Sequence, residues 1–445
     1  MRFSHLRRCL SGVFLLVFSL IAVPRASLGQ GTGFNPALSL TRVDNGPNSA
    51  WARSQHYLIL VSLDGLRWDF ATRDNATHLL AIGRAGVWAP GGMLPAYPSL
   101  TFPNHYTLVT GLYPEHHGIV ANSFLDPGRG ARYSMYDRKT TTDGSWYGGV
   151  PLWSLAESKG MRTACLLWVG CEAKIAGFRP SYYATFDGKT QASHEAEQAR
   201  IDDTLSLLRL PAAERPHFIA LYFSEPDHEG HEFGPEARET RAAVLRMDAL
   251  VGKLRDALAT TGLPIDIVVV SDHGMVKTDG DWIDLDQFAS LSGFETAGDL
   301  LYGKTEADRV RLYEQLKHVS SKFMVFRRKN VPPDLNYSEN PREGDPIIVA
   351  TGPYAIRAQA PPAGSASRPP TAGMHGFDPR ILPEMKASFF AAGPDLLVGK
   401  TVAPFDNVNL YPWLAHLLGL HPPRNDGSLY ILSGTLRDDG VTPEK

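Results

Sequence analysis

Cysteine is scarce in this chain, with 3 residues in 445. Cys9 falls in an N-terminal apolar segment, so only Cys165 and Cys171 remain, and two cysteines exclude a disulfide-dense scaffold. Their separation corresponds to about 20 Å along an extended strand, beyond disulfide reach unless the chain turns sharply at Gly170. Whether the two pair is left open by the sequence, with Cys165 expected to be buried in TACLLWV and Cys171 exposed. Excess charge is missing too. A formal charge of -3 excludes a nucleic-acid-coating surface and a polybasic membrane patch, so stable nucleic-acid binding is not expected and any phosphate binding must be local. The run from Leu10 to Val23 is short of the ~20 apolar residues that a membrane span needs. It follows Arg2, Arg7 and Arg8 and precedes Pro24 and small residues, the layout of a secretory signal. The expected organisation is a signal over 1–29, a catalytic domain over 30–435 and a tail over 436–445, exported to the periplasm or outside the cell with no transmembrane span in the mature chain.

What is present is an alternation of apolar strands and amphipathic stretches. HYLILVSL (His56 to Leu63), RTACLLWV (Arg162 to Val169), HFIALYF (His217 to Phe223) and IDIVVVS (Ile265 to Ser271) read as buried parallel strands, with MKASFFAA (Met385 to Ala392) a weaker fifth. Helical stretches lie between them, over roughly Thr77 to Ala85, Pro103 to Thr110, Pro151 to Ser158, Ser193 to Leu208, Ala237 to Thr260 and Asn407 to Leu418. This order predicts an α/β fold, a mostly parallel central sheet with helices on both faces. The stretch from about 281 to 371 breaks the rhythm. It is rich in Pro and charge, with PPAGSASRPP near its end, and reads as an insertion that caps the cleft.

Chemistry-bearing residues sit where strands end. Asp64 and Asp272 follow their strands directly and Asp227 follows Phe223 closely, and ligands in open α/β sheets gather at the carboxyl ends of strands. With His231, His273 and His375 these carboxylates form a donor set rich enough for two divalent metals. Gly230 between Asp227 and His231 suggests a looped segment there. Asp272 and His273 are adjacent, and Gly274 suggests that the strand has ended, so that both can face one cleft. Each of these residues alone is most simply a solvated loop residue; the weight lies in their conjunction. Thr101 precedes Phe102 and Pro103 at an expected helix start, where the dipole suits an alkoxide and a phosphoryl group. The plainer reading of Thr101 is an N-cap. Beside a metal set, its hydroxyl becomes a nucleophile.

SLDGLRWD, LTFPNHYTLVTGLYPEHHGIVANSF, LYFSEPDHEGHEFGP, VVVSDHGM and GMHGFDP together resemble the nucleotide pyrophosphatase/phosphodiesterase family of the alkaline phosphatase superfamily. The resemblance implies an alkaline-phosphatase-like three-layer sandwich and two zinc ions per chain, manganese or iron being alternative occupants. One zinc would be held by Asp64, Thr101, Asp272 and His273, the other by Asp227, His231 and His375. It further implies hydrolysis of phosphodiester or pyrophosphate bonds in nucleotides and related small diesters through a phosphothreonine at Thr101. Asn122 would donate to a phosphoryl oxygen, assisted by the Phe102 N–H. Phe102 would stack on the leaving group opposite Tyr183 or Tyr182, with Tyr222 a further wall residue. WVGCEA (Trp168 to Ala173) departs from the WPGS-type sequence of many relatives, which bears on leaving-group preference.

Charge favours a diester. Two divalent ions would be neutralised by Asp64, Asp227, Asp272 and an ionised Thr101, and a doubly charged monoester would want a further cation. The alternatives are a phosphomonoesterase, a hydrolase of choline-containing or phosphonate esters, and a noncatalytic metal-stabilised binding protein.

Overall fold

The computed structural model describes residues 39–185, 193–361 and 370–437. The expected signal over 1–29 lies outside the described residues, as do most of PPAGSASRPP and most of the expected tail. Among the described residues nine strands form the main sheet: β1 Leu40–Arg42, β2 Tyr57–Leu63, β3 Val87–Trp88, β4 Thr163–Leu166, β5 Tyr182–Ala184, β6 Phe218–Phe223, β7 Ile265–Val270, β8 Phe389–Ala392 and β9 Lys400–Thr401. Their spatial order is β1-β5-β4-β6-β2-β7-β8-β3-β9. The central run from β5 to β7 is parallel. MKASFFAA does supply a strand, but β8 runs antiparallel to both β7 and β3.

Among the described residues the α-helices longer than a single turn are α1 Thr77–Ala85, α2 Thr101–Thr110, α3 Leu152–Ser158, α4 His194–Leu208, α5 Asp227–Phe233, α6 Arg238–Ala259, α7 Glu306–Leu316 and α8 Leu410–Leu417. They cover the sheet on both sides because its residues alternate between two apolar faces. Leu58, Leu60, Phe218, Ala220, Val268 and Val270 join a core with Trp153 and Trp413, from α3 and α8. Ile59, Val61, Ile219, Leu221 and Val269 are equally buried on the opposite face, the side of α1, α4 and α6. Each such side chain contributes roughly 1.5–3 kcal/mol of burial. In α6 the buried residues Ala243, Val244, Met247, Leu250, Val251, Leu254 and Leu258 recur at helical spacing. Its Asp248 accepts from the Leu79 N–H at 2.7 Å and the His78 N–H at 3.2 Å, closing the start of α1 from a neighbouring helix. Ser193 caps α4, accepting from the Ala196 N–H at 3.2 Å, with Glu195 and Glu197 in the first turn.

Between the end of β7 and β8 the chain leaves the main sheet. Ile283–Asp284 pairs with Ile356–Arg357, Phe294–Ala297 with Leu300–Gly303, and Phe323–Phe326 with Ile347–Ala350. These pairs and α7 enclose a separate apolar cluster of Leu285, Leu301, Leu312, Leu316, Phe323 and Ile348. Val276–Lys277 then pairs antiparallel with Gly373–Met374. That short ladder returns the chain to the end of β7, which places residue 375 beside residue 273.

Candidate active site

The carboxyl ends of β2, β6 and β7 lie side by side, so the residues that follow them share one rim. Asp64 comes directly after β2 and receives its own backbone bond from the rim, its N–H donating to Phe223 O at 2.9 Å. Gly65 adopts φ +67°, and a Cβ there would stand 2.9 Å from Asp227 Cα, so only glycine lets these two segments meet. β7 ends at Val270, which frees Asp272 and His273 from strand alternation, as the sequence suggests. The segment bearing Asp227 and His231 is a helix, α5, and not the expected loop. The spacing of four puts both side chains on one face. Gly230 is internal to that helix because a side chain there would press on Met275, with Cε 3.2 Å away.

Three groups of donor atoms converge within 4.8 Å in each group: Asp227, His231 and His375; Asp64, Asp227 and His273; and Asp64, His105 and Asp272. Asp64, Asp272 and His273 are buried, while Asp227 and His231 are only half-buried, so the cluster opens to solvent at one end. The histidines are oriented alike. Nδ1 of His231 lies 2.8 Å from Gly373 O, that of His273 2.9 Å from Gly274 O and that of His375 2.9 Å from Ser99 O. A proton on each Nδ1 donates to these carbonyls, which leaves every Nε2 as a lone pair facing the cluster. The Nε2 atoms of His231 and His375 face each other at 3.1 Å. Two lone pairs at that distance call for a cation between their neighbours. Carboxylate oxygens call for one too: Asp64 Oδ1, Asp227 Oδ1 and Asp272 Oδ2 are buried without a hydrogen-bond donor. Unpaired anionic oxygens and imidazole lone pairs together fit divalent metal.

The electrostatics express the same deficit of positive charge. Burial, with Asp272 and Asp227 nearby, pushes the Asp64 carboxyl well above its usual range. Burial would raise Asp272 as well, but His273 and His105 override it and hold that carboxyl well below the ordinary value. His273 is pulled down by burial and carried above its usual value by Asp272. His375 is driven well below, by burial and then by His273 and His231. The rings of His273 and His375 stack at 3.6 Å.

Thr101 is the first residue of α2, and Leu100, not Thr101, occupies the capping position. The Thr101 hydroxyl instead lies 3.3 Å from His273 Nε2, at the edge of the donor cluster. Asn122 Oδ1 accepts from the Phe102 N–H at 2.9 Å. That contact ties the Phe102 N–H, expected to assist at a phosphoryl oxygen, to the Asn122 side chain. Phe102 and Tyr183 are half-buried against the same core. Tyr182 points the other way along β5: it is buried and its hydroxyl donates to Glu214 O at 3.0 Å, which removes it from the substrate wall. Tyr222 is likewise corrected. Its hydroxyl donates to Asp64 Oδ2 at 2.7 Å, so it orients a donor instead of lining a wall.

Cysteine brings one further correction, the burial of Cys171, and an answer to the pairing that the sequence leaves open. Cys165 and Cys171 form a disulfide, with Cα atoms 6.2 Å apart, and Cys171 is buried. The required turn exists: Leu167 and Gly170 both have positive φ, and the Cys171 N–H donates to Trp168 O at 3.2 Å. The place of His105 in the donor cluster was not legible from the motif alone. It lies one turn beyond Thr101 in α2, with Nδ1 2.9 Å from Thr101 O and 3.3 Å from Asp272 Oδ2, and Nε2 2.8 Å from Ser62 Oγ. The spacing of four from the hydroxyl was the available signal.

Residues 58–378 match the family described as type I phosphodiesterase / nucleotide pyrophosphatase. An uncharacterised pyrophosphatase/phosphodiesterase of Schizosaccharomyces pombe is 32% identical over 84% of this chain and 79% of its own length. Ectonucleotide pyrophosphatase/phosphodiesterase family member 7 of Homo sapiens is 31% identical over 88% of this chain and 86% of its own. Among solved structures, murine ectonucleotide pyrophosphatase/phosphodiesterase 5, an inactive threonine-to-alanine variant in complex with AMP, superposes with a TM-score of 0.78. It is 26% identical and covers 86% of this chain and 100% of that one.

Proposed function

Because the chain belongs to the type I phosphodiesterase / nucleotide pyrophosphatase family and is a phosphodiester hydrolase, we propose that Thr101 is its nucleophile and that the donor cluster holds two divalent metals, zinc by preference. The observation that carries this reading is the Thr101 hydroxyl, free of any capping bond and 3.3 Å from His273 Nε2 at the edge of an uncompensated set of carboxylates and imidazoles. Asp64, Thr101, Asp272 and His273 would hold one ion, and Asp227, His231 and His375 the other. When bound, the metals supply positive charge and acidify the hydroxyl beside them.

The residues divide the remaining work. Thr101 loses its proton to solvent and attacks phosphorus in line; the Thr–O–P bond forms, the ester or anhydride P–O bond breaks, and the departing oxygen takes a proton from water. A water then attacks the phosphothreonine, and the Thr101 hydroxyl is restored. Asn122, fixed by its bond from the Phe102 N–H, presents Nδ2 to a non-bridging oxygen. Phe102 and Tyr183 flank the leaving group. The described part of segment 281–371 would cap this cleft. The substrate is a nucleotide diester, pyrophosphate or related small diester, in keeping with the AMP bound by the murine relative. The N-terminal Arg-rich and apolar layout, together with relatives named as ectonucleotide and venom enzymes, supports export. No helix among the described residues is long and apolar enough to cross a membrane.

The test compares wild type with Thr101→Ala on an aryl nucleoside-monophosphate diester and its matched aryl monoester. Loss of at least about a thousandfold in kcat, with metal content retained, is expected, and wild type should prefer the diester in kcat/KM. Near-normal turnover by Thr101→Ala would end the assignment of the nucleophile.

A further inference from the structure

One fully buried imidazole beside Thr101, that of His105, takes no part in the proposed reaction. With no accessible surface it meets neither substrate nor solvent, yet elements from across the sheet converge on it. In α2 its Nδ1 lies 2.9 Å from Thr101 O, and Asp272 Oδ2, beyond the end of β7, stands 3.3 Å from the same nitrogen. From β2 the hydroxyl of Ser62 lies 2.8 Å from Nε2. From β6 Tyr222, whose hydroxyl holds Asp64 Oδ2, packs edge-on against the ring with centroids 5.2 Å apart. From the loop after β4, Trp168 donates its indole N–H to His105 O at 3.0 Å and meets the ring edge-on as well, centroids 5.1 Å apart. Trp168 lies within the turn that the Cys165–Cys171 bridge closes.

These neighbours place a proton. A carbonyl and an ionised carboxylate face Nδ1 and neither can donate, so Nδ1 carries the hydrogen, while the Ser62 hydroxyl can turn its own toward Nε2. The Nδ1–H donates to the carbonyl of Thr101 itself, in the first turn of a helix whose capping residue, Leu100, supplies no side-chain bond. Anchored to β2 through Ser62, the ring ties that first turn to the strand from which Asp64 emerges. A displacement of about 1 Å at a reacting atom can cost about a hundredfold in rate. We propose that His105 is a positioning residue, its Nδ1–H and its Ser62 anchor setting where the Thr101 oxygen stands relative to Asp64 and Asp272. The inference rests on Thr101 as nucleophile and adds the group that aims it.

His105→Ala and His105→Asn, in the full, metal-loaded chain, test it on an aryl nucleoside-monophosphate diester, with bound metal and Tm measured beside kcat and KM. The Asn amide restores an N–H near the place of Nδ1 but leaves a void where the rest of the ring stood. His105→Ala should lower kcat about a hundredfold with KM and bound metal within about threefold, and His105→Asn should regain at least about tenfold in kcat. If His105→Ala does not fold, Ser62→Ala reads the same device through Nε2, with kcat expected to fall about tenfold at unchanged KM. In wild type, long-range proton–nitrogen correlation spectra of labelled histidine, with the His105 signals assigned by their loss in His105→Asn, should show the proton on Nδ1 with or without metal. The proposal is overturned by a kcat near wild type in His105→Ala or in the Ser62→Ala substitute, by a His105→Asn no faster than His105→Ala, by metal lost in step with kcat, or by a proton on Nε2 alone. Should His105→Ala stay active while Thr101→Ala is inactive, only the positioning falls and the nucleophile stands.

Discussion

Strand β7 carries a buried aspartate near each end, and the two live under opposite conditions. Near its start, Asp266 lies against Asp395, whose carboxylate is held by His56 Nδ1 at 2.9 Å and whose N–H donates to Asp266 Oδ1 at 3.2 Å. Burial and Asp395 push Asp266 up to about 9, so it keeps a proton at neutral pH and the pair carries one negative charge between them. Beyond the other end, Asp272 is ionised, while Asp64 and Asp227 present oxygens that no donor reaches. Both regions are acidic, buried and near histidine. What separates the supporting pair from the reactive cluster is that a retained proton lowers the charge of the first, while the second turns several carboxylate oxygens and imidazole lone pairs toward one shared space.

Exchange of charge at the two ends should therefore have very unequal effects. Asp272→Asn is expected to lower bound metal, read by elemental analysis, and to cut kcat/KM on an aryl nucleotide diester by at least about a thousandfold. Asp266→Asn should leave both within about twofold. If the two variants behaved alike, the contrast would be wrong. A smaller effect sharpens the comparison within the reactive end. Tyr222→Phe removes only the 2.7 Å bond to Asp64 Oδ2, and metal affinity measured by competition with a chelator should fall about 10- to 100-fold.

The smallest effect belongs to the supporting pair and appears in stability against pH. Asp266 has a raised value in the folded chain, about 9, against about 4 when unfolded. Between those values the folded state binds more protons, so its contribution is complete at low pH and is lost as pH rises toward 9. Asp266→Asn should flatten this decline and raise Tm by about 2 °C at pH 8 relative to wild type, with little change at pH 4. A thermal-melt series in which both proteins kept the same slope would remove Asp266 from the account.

Much of the architecture was legible because its carriers are local patterns. The apolar runs of β2, β6 and β7 and the periodic face of α6 announce themselves over a few residues. Asp64, Asp272 and His273 were readable for a related reason, since each directly follows such a strand. The short outer strands Leu40–Arg42, Val87–Trp88 and Lys400–Thr401 were not, because their pairing depends on partners far along the chain. Gly230 misled through its type: glycine suggests a loop, yet here it lies inside a helix against Met275. The cysteine pairing stays open in the sequence because a strand-length estimate cannot see two positive-φ residues reversing the chain. His105 and Tyr222 act on Thr101 and Asp64 across distances that only the folded rim defines.

The position of β8 has a consequence for biosynthesis. Val87–Trp88 leaves the ribosome early, but among the described sheet strands its hydrogen-bonded neighbours are Phe389–Ala392 and Lys400–Thr401, which are translated near the end. His375 arrives in the same late stretch, anchored to Ser99 O. A nascent chain thus holds an unclosed sheet and an incomplete donor cluster for most of its synthesis, so that closure of the sheet and arrival of the last imidazole fall in one event close to chain release.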